Sequence, residues 1–521
     1  MNIGLAQPAA PAARLMAEAL AAAALGALFS LACVYTEGWW LQLWLLGLLA
    51  WRAAALSPAR AALLGSAFGS GWLGAGTWWL FISLHTYGGL PAAMAVLAVA
   101  GLAAVLSAYL ATALALFARL RCGNAWFDAP LFAAVWLAAE LARGVLFTGF
   151  PWVATGYGQI DGPLASLAPW FGVYGIGFVG AGVAALAALA LRAGVRRAVL
   201  PVVVAAVLLA AATLPARDFT ASAGRLGVTL VQTNVAQDEK FAPERLPGAL
   251  RWLESALHSA RGPLVIAPET AIPLLPDQLG SDAWARLTEP FRGAGKAMLV
   301  GLPLGSYETG YTNSVAGMSA DTAALPGGFY RYDKQHLVPF GEFIPYGFHW
   351  FVEMMNIPLG DFARGPKVPP SFAFAGQRIG PNICYEDLFG EELALRFGDG
   401  AQAPTLLANI SNIGWFGETI AITQHLHISR MRTLELQRPM LRATNTGATV
   451  VIDHRGLVTA QLAPFTRGTL DATAEGRIGL TPFARWASRF GLVPLWALAF
   501  LIMIAATWAR QSGTGPRSIN A

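Results

Sequence analysis

The chain has 521 residues, 55% of them hydrophobic and only 12% charged, with a formal net charge of +5. Soluble proteins carry about 25% charged residues, so the composition points to a membrane protein. The arginines are scattered, with no basic run and no interleaved aromatics, which argues against a nucleic-acid partner.

The charge is unevenly spread along the chain. From Arg14 to Pro215 the sequence is a succession of long apolar runs rich in Ala, Leu, Gly and Trp. From about Arg217 to Leu480 it is mixed and polar and holds all four lysines, and one more apolar run follows. A helix that crosses a bilayer needs about 20 apolar residues. Spans are predicted near 15–34, 39–56, 61–82, 91–118, 129–148, 170–191, 198–214 and 490–509, about eight by the same length rule. The expected organisation is a seven-span bundle over 1–216, an extramembrane domain over 217–480, and a C-terminal helix and tail over 481–521. The first run is long and closely followed by a second, which marks an uncleaved helix rather than a signal peptide.

Arginine placement predicts the orientation. Arg14, Arg52 and Arg60, Arg119 and Arg121, Arg192, Arg196 and Arg197, and Arg510 and Arg517 fall at alternate span ends. The opposite short loops, 35–38 and 86–89, carry no basic residue. Both termini are therefore expected in the cytoplasm and the polar domain outside, which in a bacterium is the periplasm. Arg217, Arg485 and Arg489 flank a large folded domain, where the rule is weak. Glu140 and Arg143, three apart within the fifth span, lie on one helix face. They are open to a functional reading or to a structural ion pair. The outer loop after them carries Trp152 and Tyr157. Gly65 and Gly69 form one GxxxG, a weak helix-packing signal.

Within the polar domain, strand patterns at 226–231, 264–266, 298–301, 406–410 and 449–452 alternate with helical patterns at 243–260, 388–397 and 418–437. This alternation predicts one α/β domain with a buried sheet. Among the three cysteines, Cys33 lies in a hydrophobic run and Cys122 follows a basic turn, so a disulfide framework is not expected. Cys384 ends the strand-like Gly380-Pro381-Asn382-Ile383 and precedes Tyr385-Glu386-Asp387. Such a thiol is either a small buried hydrophobe or a nucleophile. Glu269 ends Val265-Ile266-Ala267-Pro268, and Lys334 follows Tyr330-Arg331-Tyr332-Asp333. Strand ends are where α/β folds gather catalytic groups.

The words around these residues are more specific. Pro268-Glu269-Thr270-Ala271-Ile272-Pro273, Val338-Pro339-Phe340-Gly341-Glu342, Cys384-Tyr385-Glu386 and Ser411-Asn412-Ile413-Gly414-Trp415-Phe416-Gly417 occur in order. In these words the sequence resembles the nitrilase (carbon–nitrogen hydrolase) superfamily. With spans before the domain and one after it, nearly the whole chain resembles the apolipoprotein N-acyltransferase family. Phe241 departs from that pattern, standing where the family has a tryptophan in the loop after the first outer strand.

The resemblance implies a polytopic helical membrane domain joined to an extramembrane αββα sandwich, and a catalytic triad of Glu269, Lys334 and Cys384. A free thiol of pKa about 8.5 is mostly protonated at neutral pH. Glu269 would take its proton as general base. Lys334 would stabilise the oxyanion, a kind of donor whose loss typically costs about 100- to 1000-fold. Glu342 would fix Lys334 or aid proton transfer, while Tyr385 and Glu386 would support the intermediate or pack structurally. Phe340, Trp350, Phe351, Trp415, Trp152 and Tyr157 are candidates for substrate contact or a lid. The dense apolar segment 343–369, with Phe348, Trp350, Phe351, Met354, Met355 and Ile357, is either an arm that dips into the outer leaflet or a small satellite core.

The implied reaction moves a fatty acyl chain from a phospholipid, through a Cys384 thioester, to the α-amine of a lipoprotein's diacylglyceryl-cysteine. The implied setting is the bacterial inner membrane. The partners are the phospholipid donor, the diacylated lipoprotein and the bilayer, and no cofactor is expected. His425 and His427 lie two apart on a helix, facing different ways, without a third ligand at zinc spacing, so no metal is expected. No G-x-S-x-G elbow or phosphate-binding loop occurs; Gly295-Lys296 is followed by Ala297. The alternatives are a membrane-tethered amidase of the same superfamily, with water as acceptor, and a transporter whose outer domain only binds ligand. The Glu-Lys-Cys set and the scarcity of charge along the spans oppose the transporter.

Overall fold

The computed structural model describes residues 11–214, 217–308, 310–352 and 362–511. Seven long helices precede the extramembrane domain: Pro11–Leu31, Trp39–Ala53, Pro58–Thr77, Ala92–Leu120, Ala125–Val145, Ala168–Arg192 and Val195–Ala212. An eighth, Val493–Gln511, follows it. Six segments among the described residues are long and apolar enough to cross a membrane unaided. Trp39–Ala53 is short at 15 residues, and Pro58–Thr77 is diluted by glycine and serine. The expected count of about eight spans is therefore approximate.

Small residues allow the helices to pack closely. A Cβ on Gly26 would stand 1.9 Å from the Phe68 carbonyl oxygen, and one on Gly71 1.9 Å from that of Ala23, so helices Pro11–Leu31 and Pro58–Thr77 touch backbone to backbone. Gly65, of the GxxxG pair, likewise abuts the Leu110 carbonyl. Trp72 stacks on Trp136, with ring centroids 5.5 Å apart, and Phe29 meets both edge-on.

Glu140 and Arg143 prove to be structural braces. Arg143 Nη1 donates to the Phe150 and Trp152 carbonyls at 2.8 and 2.6 Å. Glu140 Oε1 accepts from the Thr155 backbone N–H and hydroxyl at 2.7 and 3.0 Å. Two buried ionisable side chains thus satisfy the backbone of an irregular loop where lipid cannot, which is the condition for such a loop near a membrane.

Twelve strands among the described residues build the outer domain. The first sheet holds β1 (Thr220–Gln232), β2 (Leu264–Ile266), β3 (Ala297–Ser306), β4 (Gly310–Met318), β5 (Tyr330–Asp333) and, at its far edge, β12 (Gly468–Gly479). The second holds β6 (Phe372–Phe374), β7 (Gln377–Ile383), β8 (Leu406–Ser411), β9 (Met440–Thr444), β10 (Val450–Ile452) and β11 (Val458–Gln461). The centre of each sheet is parallel, β1-β2-β3 in one and β7-β8-β9 in the other, with antiparallel strands outside.

Alternation along these strands creates the layers. Leu264 and Ile266 of β2, with Leu406, Ala408 and Ile410 of β8, fill the space between the sheets. Val265 faces the other way, onto helix Leu246–Ser259, and Leu407 faces helix Pro482–Phe490. The result is an αββα sandwich. The predicted helix over 388–397 is broken, with only Gly390–Ala394 α-helical between two 3-10 turns.

Helix Ala421–Leu436 covers the second sheet and docks the domain onto the bundle. Trp79 and Trp152 both donate their indole N–H to Gln424 Oε1, at 3.0 and 2.8 Å, while Gln424 Nε2 donates to the Gly76 carbonyl. Glu435 accepts from the Val173 N–H at 2.7 Å, next to the left-handed Gly172 that breaks helix Ala168–Arg192. Replacing Gln424 by Leu strips Trp152 of its acceptor inside a dry junction, at a cost of about 1–3 kcal/mol. The Q424L protein in detergent is expected to melt at a lower temperature than wild type; equal melting would show that this junction contributes nothing.

Candidate active site

Both sheets deliver their chemistry at the ends of parallel strands. Three residues beyond β2, Glu269 follows Pro268, which has no N–H to extend the ladder. Gly301 of β3 passes so close that a Cβ there would stand 2.5 Å from the Pro268 carbonyl oxygen and 2.7 Å from Glu269 Cα. Glu269 Oε1 accepts from Asn313 Nδ2 at 2.7 Å, and Oε2 accepts from the Asn412 N–H at 2.8 Å. Lys334 comes directly after β5, its backbone N–H bonded to the Asn313 carbonyl at 2.8 Å. Its Nζ lies 2.9 Å from Glu342 Oε1 and 3.6 Å from Glu269 Oε1. Asn313 Nδ2 also donates to Glu342 at 2.7 Å, and the Val338 N–H closes the other Glu342 oxygen at 2.8 Å. One amide and one ammonium therefore clamp two buried carboxylates.

Cys384 leaves β7 and opens the 3-10 turn Cys384–Leu388 with φ +51°, left-handed for a residue with a Cβ. Such a backbone costs about 1–3 kcal/mol and persists only where its surroundings hold it. Glu386 supplies much of that hold. It accepts from the Ile383 N–H and the Tyr332 hydroxyl at 2.7 and 2.6 Å on one oxygen, and from the Gln335 N–H at 2.7 Å on the other. It thus ties the turn to the segment that follows Lys334.

The electrostatics follow from this crowding. Burial alone would lower the Lys334 pKa, but Glu342 and Glu269 outweigh it and hold the ammonium charged. The Cys384 thiol is pushed up to about 12, first by burial and next by the Glu269 carboxylate, against the pull of Lys334 and a contact with Ser411. Cys384 therefore rests as a thiol, so any attack by its sulfur needs a nearby group to take the proton, and a carboxylate is able to do so.

Residues 25–186 match the family model described as "Apolipoprotein N-acyltransferase N-terminal domain", and residues 227–483 match "Carbon-nitrogen hydrolase". An apolipoprotein N-acyltransferase of Verminephrobacter eiseniae (strain EF01-2) is 52% identical over 483 residues, covering 87% of this chain and 89% of that protein. One of Ralstonia nicotianae (strain ATCC BAA-1114 / GMI1000) is 44% identical over 510 residues, covering 96% of this chain and 95% of that one.

This chain belongs to the apolipoprotein N-acyltransferase family. It is an acyltransferase and a multi-pass membrane protein with a carbon–nitrogen hydrolase domain.

The remaining predicted residues of this family member occupy distinct places. Tyr385 is buried, its hydroxyl donating to the Gly149 carbonyl of the bundle loop at 2.9 Å. Trp152 and Tyr157 are buried, Tyr157 donating to the Leu388 carbonyl at 3.4 Å. Trp415 is half-buried and meets Tyr87 edge-on. Phe340 packs with Ile344 and Val352 against Leu90 and Ala95 of the bundle. The satellite-core reading thus fits the start of segment 343–369, whereas Trp350 is exposed. Phe351 lies in helix His349–Val352, and Met354, Met355 and Ile357 lie outside the described residues. No cluster of three His, Cys, Asp or Glu side chains that could hold a metal occurs among the described residues.

Sequence reasoning missed three contributors. Asn313 lies outside every motif and strand pattern read from the sequence, and Asn412 lies within a family word that says nothing of its partner, so only the fold shows that they hold Glu269. Lys240, in the loop after β1, is buried with Nζ 3.0 Å from the Glu269 carbonyl oxygen. Burial lowers its pKa to about 8, with Glu269 and Cys384 opposing. Its place beside Phe241, the family departure, was the available signal.

These shifts predict how the thiol reacts. Alkylation of Cys384 by iodoacetamide, followed on the Cys384 peptide, is expected to keep rising through pH 10. An ordinary cysteine levels off above about 8.5. Lys240→Met, which removes a cation, should slow alkylation at pH 8. A plateau between pH 8 and 9 in the wild type would contradict the raised pKa.

Proposed function

We propose that the chain transfers a fatty acyl group from a membrane phospholipid to the free α-amine of the S-diacylglyceryl-cysteine of a lipoprotein, with Cys384 as the acyl carrier. The observation that carries this reading is the buried Lys334 held between Glu269 and Glu342 at the strand ends that also present Cys384.

In the first half-reaction Glu269 takes the thiol proton while sulfur attacks the ester carbonyl of the donor. The oxyanion forms next to Lys334, whose charge is already in place and needs no reorganisation. Collapse breaks the C–O bond, Glu269 returns its proton to the departing oxygen, and a lysophospholipid leaves behind a thioester. In the second, the neutral α-amine attacks the thioester carbonyl. Glu269 accepts the amine proton and gives it to the Cys384 sulfur as the C–S bond breaks. One acyl group has moved, an amide has formed, and the enzyme returns to its starting state. A thioester suits this sequence because a thiolate is a better leaving group than the amine that displaces it.

The arginine distribution supports a bacterial inner membrane orientation with both termini cytoplasmic and the catalytic domain periplasmic. It fits a division into a bundle over 1–216, a catalytic domain over 217–480 and a C-terminal span and tail over 481–521. Phe147, Phe348 and Trp350 are exposed large apolar side chains, and Phe340 meets Phe348 edge-on. Exposed apolar surface of this kind suits contact with acyl chains.

Intact-mass analysis tests the carrier. Protein incubated with phospholipid is expected to gain one fatty-acyl mass that hydroxylamine removes, and Cys384→Ala to gain none. Glu269→Gln should lower the rate of adduct formation by at least about 100-fold, since positioned proton transfer contributes 100- to 10,000-fold. An unchanged rate of adduct formation in Cys384→Ala would reject the proposal.

A further inference from the structure

His425 looks from the sequence like a stray metal ligand, yet it touches the backbone of the nucleophile. Its Nε2 lies 3.2 Å from the carbonyl oxygen of Cys384. Its Nδ1 lies 2.8 Å from Nη2 of Arg442. A guanidinium can only donate, so Nδ1 must be the accepting nitrogen and the proton must sit on Nε2. The ring is thereby fixed in one neutral tautomer, with its single N–H aimed at Cys384. Burial and the Arg442 charge both keep it from protonating.

The same arginine orients a second donor. Arg442 Nη1 bonds Asn409 Oδ1 at 3.2 Å, which turns the amide nitrogen of Asn409 toward the Cys384 carbonyl at 3.4 Å. Arg442 is itself fully buried and anchored to Ser429 at 2.5 Å and to the Ala448 carbonyl at 3.1 Å. On its other side, the His425 ring packs on Trp152, with centroids 5.5 Å apart. Trp152 is held by Arg143 through its carbonyl and by Gln424 through its indole. A continuous line of contacts therefore runs from the membrane helix to the carbonyl of Cys384, whose left-handed φ needs such a clamp.

We propose that His425 is a positioning residue: as a neutral donor it holds the Cys384 carbonyl, and so aims the thiol, in register with the membrane-side loop carrying Trp152. It moves no proton in the reaction. This rests on Cys384 being the acyl carrier, and the following variants separate the two claims.

His425→Gln keeps an N–H that reaches the carbonyl, His425→Asn is too short, and His425→Leu removes the donor. Each is incubated as full-length protein in detergent with phospholipid, and the acyl adduct on Cys384 is timed by intact mass. The Leu and Asn variants are expected to form the adduct roughly 100-fold more slowly, the usual effect of a displacement of about 1 Å in a reacting group. The apparent KM for lipid should stay within about twofold of wild type, and Gln should recover most of the rate. The pH profile of the Gln variant should match that of wild type, because the native ring does not titrate. Equal rates for Asn and Gln would overturn the proposal, as would a Leu variant as fast as wild type or a pH profile altered in Gln. If Leu does not fold, the Asn–Gln comparison decides. An adduct that persists in Cys384→Ala would instead remove the carrier reading, whatever the His425 variants do.

Discussion

The catalytic domain depends on one buried ammonium. Lys334 has almost no access to water, and an uncompensated charge there would cost several kcal/mol. Glu342 and Glu269 compensate it, and Asn313 bridges the two carboxylates so that they can approach one cation without approaching each other unscreened. Each partner lies on a different strand end or loop. The pair thus becomes a condition on the whole sandwich: β2, β4, β5 and the turn at Val338 must end in register for the charge to be satisfied. The same arrangement explains the resting thiol. Burial first, and the Glu269 carboxylate next, disfavour a negative charge on Cys384 despite the nearby Lys334.

A second constraint comes from the membrane. Irregular backbone near a bilayer must find partners inside the protein. The backbone of the loop beyond helix Ala125–Val145 does so twice, through Glu140 and Arg143 of that helix and through Tyr385 of the outer domain, while Gln424 takes the Trp152 indole N–H. It is consequently the element shared by bundle and domain. It is tied to the outer domain next to the nucleophile, since Tyr385 follows Cys384 in the chain and Gln424 precedes His425, which reaches the Cys384 carbonyl.

The sequence made the outline legible wherever a single residue type carries its own physics. Apolar length marked the helices, arginine asymmetry marked their expected orientation, and alternation marked β2 and β8. Glu269, Lys334 and Cys384 follow strand patterns, and the family words around them singled them out together. What stayed hidden was relational. Asn313 lies in no motif, and the family word that holds Asn412 does not say that its N–H meets Glu269 until the chain is folded. Lys240 was visible as one of four lysines and as the neighbour of Phe241, but neither fact says that it is buried. Glu140 and Arg143 were open to two readings because a helix face does not reveal that an irregular loop lies against it. Trp152 and Tyr157 were visible as aromatic residues of an outer loop, but not that Trp152 would bond Gln424 and Tyr157 the Leu388 carbonyl.

Together these constraints account for the placement of a hydrolase-type domain on a membrane bundle. A thioester facing water would be lost to hydrolysis if it waited for a second substrate. The site limits water at its charged members: Lys334, Glu269 and Glu342 are nearly inaccessible, Cys384 is half-buried, and the His425 ring that bonds the Cys384 carbonyl packs on Trp152. In the proposed reaction the amine is carried on a lipid-anchored peptide and is confined to the membrane plane together with the donor, so its local concentration rises without any dedicated recognition of the attacking nitrogen. That confinement favours the amine over water as the nucleophile that meets the thioester.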